Sequence, residues 1–226
     1  VVPITVAPDA LPGPRELILT TPDGAASTVI TVVLADGELD TVLGAPELDT
    51  PVGLAWGDGT LFLTDAVRGH VYAWRTAPDP IAFADGSLVA TPGTLTTLAG
   101  SGGAPPLVDG PALDVSLTEP KGLCYRHEPK LLFIAATVDQ KIAVMNLDDV
   151  PVTEMGHVIA PGGLAVLAGT GVIGYSGDHG PALEAEMFRP WRVRGCQGDV
   201  LLVGDVENRV LRMINRSETP QDVAGV

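Results

Sequence analysis

One unit repeats along the chain, and this repetition constrains the fold more than any other feature. The clearest copy covers residues 167–213 and reads LAGTGVIGYSGDHGPALEAEMFRPWRVRGCQGDVLLVGDVENRVLRM. Residues 98–145 repeat its Leu-Ala-Gly opening, its Gly-rich loop, its Asp and Gly-Pro-Ala-Leu, and then Pro, strand, turn and strand. A shorter copy begins at Pro51, which lies 69 residues before Pro120, as Pro120 lies 70 residues before Pro190. A period of this kind predicts repeated units that bury one another's apolar faces.

Each copy predicts short β-strands rather than long helices. The chain contains 27 Gly and 20 Pro, which interrupt nearly every apolar run, and such punctuation favours strands and turns. The predicted strands cover residues 52–56, 61–64 and 70–75 in the first copy and residues 122–125, 131–135 and 141–146 in the second. A short helical turn is predicted at residues 181–187. Four-stranded units arranged radially form a β-propeller. A solenoid is the competing architecture, which the irregular connectors between the copies disfavour.

The charge balance excludes several classes of partner. With 28 Asp and Glu against 13 Lys and Arg, the formal net charge is −15. Nucleic acids and anionic membrane surfaces are therefore not expected as partners, because both are recognised through clusters of Lys and Arg. No apolar run approaches the roughly 18 residues that cross a bilayer, so membrane insertion is not expected. Residues 1–30 show no basic stretch followed by an apolar core, so no signal peptide is expected within them, and the start at Val1 leads us to expect a segment of a longer protein.

Residues 1–34 differ from the repeats that follow them. They hold three strand-like runs, at residues 2–6, 15–20 and 27–34, and PDG between the last two predicts a turn. In such a turn Pro presets φ and Gly supplies the positive φ. The stretch resembles the last strands of a bacterial Ig-like sandwich of the IPT/TIG type. We therefore expect a partial Ig-like domain at residues 1–34 and a linker at residues 35–40.

The third copy carries the residues of a known repeat family. The strand ending VGDVENRVLR at residues 203–212 matches the family's apolar-Ala-Asp-x-x-Asn-x-x-Val-Arg pattern, and Leu63-Thr64-Asp65 matches it in the first copy. Ala136 stands where the second copy should have Asp, which puts the side-chain bonds of that turn in question. Residues 41–226 thus resemble the NHL-repeat β-propellers of bacteria.

This resemblance implies an all-β fold with propeller blades at residues 41–93, 94–161 and 162–217, and the start of another at residues 218–226. A closed ring typically has 4–8 blades. We therefore expect either further blades in a longer chain or partner subunits that complete the ring.

Loop residues of the second and third copies are the candidate binding residues: Asp109, Tyr175, Asp178, His179 and Trp191. Asp109 and Asp178 stand at matching places before Gly-Pro-Ala, where a carboxylate would cap a helical turn starting at Pro111 or Pro181. Calcium binding is the less favoured alternative, because each loop has a single acidic side chain. Asp65 and Asp205 end strands before tight turns, where Asx-type bonding to their own backbone is expected.

Other patterns that might carry chemistry are weak. Residues 169–174 match G-x-G-x-x-G, but a β repeat follows rather than the helix that a dinucleotide site requires. The four histidines are scattered, so neither a metal nor any other cofactor is expected. Cys124 and Cys196 fall in equivalent regions of successive repeats. They are interpreted as two buried side chains or as a disulfide between neighbouring repeats, with a metal pair the least favoured.

The sequence leaves two functions open. The first is a non-enzymatic, extracytoplasmic scaffold that presents its connectors to other protein chains, to a larger assembly or to a glycan; NHL propellers are generally interaction platforms, as the resemblance implies. The alternative is a propeller enzyme, such as a lyase or a metal-dependent lactonase, with its site at the central channel. The repeats show no shared inward acidic or His position, which favours the first function. Fold alone does not decide between them.

Overall fold

The computed structural model describes residues 15–19, 28–32, 48–83, 89–103 and 107–217. The chain divides into two compact units, Val1–Asp49 and Thr50–Val226. In the first unit, strand β1 (Arg15–Leu19) pairs antiparallel with β2 (Thr28–Val32). The remainder of the Ig-like prediction, the linker and residues 218–226 lie outside the described residues.

The second unit is all-β and forms three blades of a partial propeller, each a sheet of antiparallel strands. Blade 1 contains β3 (Pro51–Gly57), β4 (Thr60–Asp65), β5 (His70–Arg75) and β8 (Leu95–Ala99). Blade 2 contains β10 (Pro120–Arg126), β11 (Leu131–Ala136), β12 (Lys141–Asn146) and β15 (Gly163–Ala168), with β9 (Gly110–Pro111) added beside β15. Blade 3 contains β16 (Pro190–Arg194), β17 (Val200–Asp205) and β18 (Val210–Asn215). Two small hairpins lie in the connectors, β6 (Ile81–Ala82) with β7 (Val89–Ala90) and β13 (Val152–Glu154) with β14 (His157–Ile159).

Blade 2 is buried on both faces, which explains its almost continuous apolar strands. Along β11, Leu132 and Ile134 join the apolar cluster shared with blade 1. Leu131 and Phe133 alternate with them and join the cluster shared with blade 3. Because successive side chains of a strand point to opposite faces, a strand covered on both sides reads as an unbroken apolar run.

The first strands of successive blades lie side by side, and glycine permits this close approach. A Cβ atom on Gly53 would lie 1.6 Å from the Lys121 carbonyl oxygen, and one on Gly122 would lie 2.7 Å from that of Trp191. At the other end of these strands, a Cβ on Gly57 would meet the Tyr125 ring at 1.9 Å. Residues 53–57 therefore run in the same direction as residues 121–125, so the starts of the first strands share one end of the unit.

The turn of blade 2 keeps its side-chain bond despite the missing Asp. In blade 3, the buried Asp205 carboxylate accepts a hydrogen bond from the Phe188 N–H at 2.8 Å. In blade 2, Asp139 does the equivalent work three positions after Ala136, accepting from the Thr118 N–H at 2.7 Å. Thr118 and Phe188 both lie two residues before the Pro that opens a first strand.

The predicted helical caps are wrong. Only residues 182–184 of the predicted turn are helical, as a single 3₁₀ turn whose first residue receives no side-chain cap. Asp178 instead accepts from Arg212 Nη2 at 2.7 Å. Pro111 lies in strand β9, so no helix starts there. Asp109 accepts from the Val166 N–H at 2.8 Å, because the loop before blade 2 pairs with a sheet edge rather than coiling.

The expected Asx-type bonding is found in one of the two turns. Asp65 accepts hydrogen bonds from the Arg68 N–H at 3.1 Å, within its own turn, and from the Thr50 N–H at 3.2 Å. Asp205 uses its second oxygen for the Asn208 side chain, at 2.9 Å. Both buried carboxylates therefore fasten a turn to the segment that enters the blade.

Candidate functional site

The starts of the three first strands form one open groove together with the neighbouring turns. Its volume is about 670 Å³, and residues 66–69, 102–103 and 116–119 form its walls. Val52, Lys121 and Trp191 line it at equivalent places, each directly after the Pro that opens a first strand. We call this cavity the first-strand groove.

Trp191 and Lys121 form a packed pair in the first-strand groove. The Lys121 ammonium lies 4.3 Å from the centroid of the Trp191 ring, a cation–π contact. The same ammonium lies 3.1 Å from Glu119 Oε2, and 13% of the Lys121 side chain remains exposed. Trp191 itself is 38% exposed. The groove therefore presents an indole surface beside a charge whose position is fixed.

The backbone is strained where the first strands of blades 2 and 3 begin. Glu119 has φ 47° and Arg189 has φ 56°, both in the left-handed region and both directly before a Pro. Such a conformation costs of order 1–3 kcal/mol for a residue with a side chain. It brings Arg189 Nη2 to 4.0 Å from Glu119 Oε2. Charged side chains of adjacent blades thus meet where the first strands of blades 2 and 3 begin.

Hydrogen bonds between blades hold the groove rigid. The Thr64 hydroxyl donates to the Lys121 carbonyl at 3.0 Å and accepts from the Gly53 N–H at 2.8 Å. The Thr137 hydroxyl donates to the Pro190 carbonyl at 2.9 Å. The peptide that follows Lys121 and the peptide that precedes Trp191 are therefore held in place before any ligand binds.

A second polar cluster lies at the opposite end of the first strands. The Tyr125 hydroxyl donates to Asp58 Oδ2 at 2.6 Å, and His127 Nδ1 lies 2.7 Å from Asp58 Oδ1. Burial, followed by the hydrogen bond to Asp58, raises the pKa of Tyr125 far above its usual range. The phenol therefore stays protonated and acts as a donor that links blade 2 to blade 1.

Blades 2 and 3 are joined by a disulfide and a buried ion cluster. Cys124 of β10 is bonded to Cys196, which follows β16. Of the alternatives that the sequence left open, the disulfide is therefore the one formed. Glu154 lies 2.7 Å from Arg126 Nη2 and 3.2 Å from Arg216 Nε, and all three side chains are largely buried.

The other predicted binding residues lie apart from the first-strand groove. Tyr175 is 57% exposed, and its ring lies 5.7 Å from the Arg212 guanidinium, which also binds Asp178. His179 is exposed, with φ 64°. Asp109 lines a different cavity, of about 460 Å³, and lies 3.3 Å from His157. Of the five predicted residues, only Trp191 reaches the groove.

Sequence reasoning missed Lys121 and Glu119 as members of the groove, and Asp58 and His127 as a pair. The position after each repeated Pro is Val, Lys and Trp in turn. Aligning the copies could have shown that this position is equivalent in all three and that its residue type varies. The His127–Asp58 pair spans 69 residues between unlike loops, and no sequence signal marks it.

Within the part of the chain that the structure describes, no three His, Cys, Asp or Glu side chains come close enough together to hold a metal ion. The same residues contain no helix whose length and apolarity would let it cross a membrane.

Comparisons with known proteins agree with the fold. The chain matches no established family profile. It is 32% identical over 134 residues to NHL repeat-containing protein 2 of Bos taurus, a match that covers 56% of this chain and 18% of that protein. A solved structure of a Bacteroides thetaiotaomicron protein of unknown function superposes with a TM-score of 0.55 and 16% identity, covering 83% of this chain and 41% of that one.

Another solved structure, of an auxiliary nutrient binding protein from the same species, superposes with a TM-score of 0.51 and 13% identity, covering 90% of this chain and 43% of that one. The chain thus spans less than half the length of each of these proteins. The likeness establishes a propeller-type fold with a weak relation to NHL-repeat proteins.

Proposed function

We propose that the chain is part of a non-enzymatic binding scaffold whose ligand site is the first-strand groove. The observation that carries this proposal is the exposed Trp191 ring, held beside Lys121 in an open cavity. An indole beside a fixed charge offers apolar contact together with a polar group that sets orientation, as ligand sites generally do. Nothing in this role requires a covalent step.

The rigidity of the blades supports a scaffold role. The disulfide, the ion cluster around Glu154 and the link from Tyr125 to Asp58 each cross between blades. A site whose main chain is already ordered loses less conformational entropy on binding than a mobile loop does.

An extracytoplasmic location is part of the proposal. Disulfides persist in secreted, periplasmic and surface proteins and are rare in the cytosol, so the Cys124–Cys196 bond supports an oxidising compartment.

We also propose that other chains or further blades cover the outer sheet faces. Trp56 and Leu54 lie on the face of blade 1 away from blade 2 and are 61% and 59% exposed. Leu211 and Met213 lie on the face of blade 3 away from blade 2, and Leu211 is 67% exposed. Apolar faces of this kind in a monomer indicate an interaction surface. A larger assembly is therefore the expected context.

The proposal is tested by ligand screening with thermal denaturation of the purified chain. A panel of neutral, acidic and basic oligosaccharides and soluble peptides should contain compounds that raise Tm for the parent, because a ligand stabilises the state that it binds. Trp191→Ala should reduce that shift, whereas Tyr175→Ala, which removes an exposed aromatic side chain outside the groove, should leave it unchanged. A panel without any stabilising compound would overturn the proposal.

Mass spectrometry of the same mixtures separates binding from catalysis. Each ligand that raises Tm should be recovered unchanged after long incubation. Sustained conversion of a bound compound that is lost in Trp191→Ala would instead favour the propeller-enzyme alternative.

A further inference from the structure

We infer that the first-strand groove selects an acidic saccharide, with a sugar ring packed on Trp191 and its carboxylate received by Lys121. This inference rests on the proposed function and names the ligand class of the same site.

The Trp191 ring is suited to a sugar ring. Its backbone is held by the close approach of Gly122, and it keeps 38% of its surface exposed in the groove. An aromatic face carries partial negative charge. The C–H groups on one face of a pyranose carry partial positive charge, so the two surfaces attract each other.

The cations of the groove favour a carboxylate over a neutral or basic group. The Lys121 ammonium lies over the Trp191 ring, 4.3 Å from its centroid, and only 13% of the Lys121 side chain is exposed, so few water molecules compete for it. Arg68 also lines the groove and lies 3.8 Å from the buried Asp65. Hydrogen bonds between charged partners are roughly twice as strong as neutral ones. In a chain of net charge −15, these cations oppose the repulsion that an anion would otherwise meet at the groove.

A hydroxyl group on the wall suits the remainder of a sugar. The Ser116 hydroxyl donates to the Gly103 carbonyl, and the Thr118 hydroxyl donates to Asp139 Oδ1 at 3.1 Å. A hydroxyl that donates internally still accepts through its lone pairs. Ser116 is buried, whereas the exposed Thr118 hydroxyl can receive a hydrogen bond from a hydroxyl of a saccharide.

The repeats keep the residues that position the first strands and vary the residue that faces the groove. The opening Pro is kept in all three copies, and Gly follows two positions later in the first two, where it fits the neighbouring strand. Between them the residue changes from Val52 to Lys121 to Trp191. A constant frame with varied groove-facing side chains is the arrangement by which repeat proteins assemble a recognition surface.

Glu119 makes the inference sharply testable. Its carboxylate lies 3.1 Å from the Lys121 ammonium and would compete with the carboxylate of a ligand. Replacing Glu119 with Gln should therefore strengthen binding of an acidic saccharide and leave binding of a neutral one unchanged.

The experiment is calorimetric titration of the whole chain with tetragalacturonate and with its fully methyl-esterified form, which keeps the rings and removes the charges. The acid should bind about 10-fold more tightly than the ester, as one charge-assisted contact implies. Added salt should narrow this difference, because salt screens the charges. Lys121→Met should bring the two affinities together, and Trp191→Ala should weaken both ligands about 3- to 10-fold through lost stacking.

The controls separate failure of the inference from failure of the proposed function. Lys130→Gln removes an exposed cation at the other end of the first strands and should change neither affinity. Trp191→Phe keeps an aromatic face and should retain most of the binding affinity. It replaces the alanine variant as the test of stacking if that variant is poorly folded. Equal affinities of the parent for acid and ester would overturn the acidic selectivity and leave the groove as a binding site. The same conclusion would follow if Lys121→Met kept the full affinity of the parent for the acid. If the parent binds neither the acid nor the ester, but another compound of the screening panel raises its Tm, the saccharide is the wrong ligand class and the proposed binding function still stands.

Discussion

Asp139 Oδ2 accepts a hydrogen bond from the Thr118 N–H at 2.7 Å, and Asp139 Oδ1 accepts from the Thr118 hydroxyl at 3.1 Å. This pair restores in blade 2 the link that Asp205 and Phe188 make in blade 3. The acceptor in blade 2 lies three positions after Ala136, which is the position equivalent to Asp205. It still accepts from the N–H of the residue two positions before the Pro that opens the first strand. The hydrogen bond between the turn and the segment that enters the blade is thus kept, although the Asp at the end of the second strand is not.

Asp139→Ala should destabilise the chain by about 0.5–1.5 kcal/mol, because it removes the acceptor of the Thr118 N–H and hydroxyl, which are exposed to water. Burial raises the pKa of Asp139, which means that the fold disfavours its charged form. Asp139→Asn keeps an acceptor oxygen without that charge, so it should cost less than the alanine variant. Urea denaturation measures both, with the exposed Asp149→Ala as the control. Equal losses in all three variants would contradict the role of Asp139.

The Cys124–Cys196 disulfide closes a sequence separation of 72 residues between blades 2 and 3. The double variant Cys124→Ala/Cys196→Ala should lose about 2–5 kcal/mol of unfolding free energy, because the crosslink restricts the unfolded chain. Reductant should lower the stability of the parent by a similar amount and leave that of the variant unchanged. Thiol titration of the oxidised parent under denaturing conditions should find no free thiol, and two free thiols would contradict the bond.

Gly53→Ala should disrupt the packing of blades 1 and 2. The added Cβ would lie 1.6 Å from the Lys121 carbonyl oxygen, a backbone atom that cannot rotate away. Overpacking typically costs about 1–3 kcal/mol, and a clash with backbone belongs at or above the upper end. Gly198→Ala is the matched control, because nothing lies within 4 Å of its added Cβ. Similar denaturation midpoints for the two variants would show that the strands can separate at little cost.

The sequence predicted the blades well, and the reason is local. Pro and Gly at fixed spacing set where each first strand begins, and the apolar runs between them became β4, β11 and β17. The disulfide remained one alternative among three, because the Cys residues do not align in the repeats. Only the lateral packing of β10 against β16 brings Cys124 to Cys196.

The candidate site was predicted less well than the fold. Trp191 was identified from its residue type, whereas Lys121 sits in a neighbouring blade and meets it only through the close approach at Gly122. The capping roles failed because a carboxylate before Gly-Pro-Ala has other partners in three dimensions. For Asp178 that partner is Arg212, which is 34 residues away.

Glu154→Ala should be strongly destabilising. Glu154 lies between the Arg126 and Arg216 side chains, and burial lowers the pKa of Arg216. Removing one partner of a buried ion pair costs about 3–5 kcal/mol, because an uncompensated charge remains. Glu154→Gln keeps a hydrogen-bond acceptor and should fall between parent and Ala. The exposed Glu207→Ala is the control in denaturant titrations. A loss no larger than in this control would mean that water reaches the arginines.

His70 should make the stability of blade 1 depend on pH. Its Nδ1 lies 3.0 Å from the Tyr72 hydroxyl. Burial lowers the pKa of His70; Asp65 opposes this shift, and Arg68 adds to it. Because the folded pKa lies below the unfolded value of about 6.5, the unfolded chain binds the proton more readily between the two pKa values. The contribution of neutral His70 to the free energy of unfolding is therefore fully present above the pKa of the unfolded chain. It is lost as the pH falls through the pKa of the folded chain.

His70→Gln should therefore flatten the acidic side of the plot of Tm against pH between roughly pH 7 and 5, the region around the unfolded His pKa. The exposed His179, with φ 64°, provides the comparison through His179→Asn, since Asn tolerates that backbone conformation. Its plot should follow that of the parent throughout. If His70→Gln loses stability with acid as steeply as the parent, the proton that weakens the fold binds elsewhere, and the half-buried imidazole of His70 does not set the acid limit of stability.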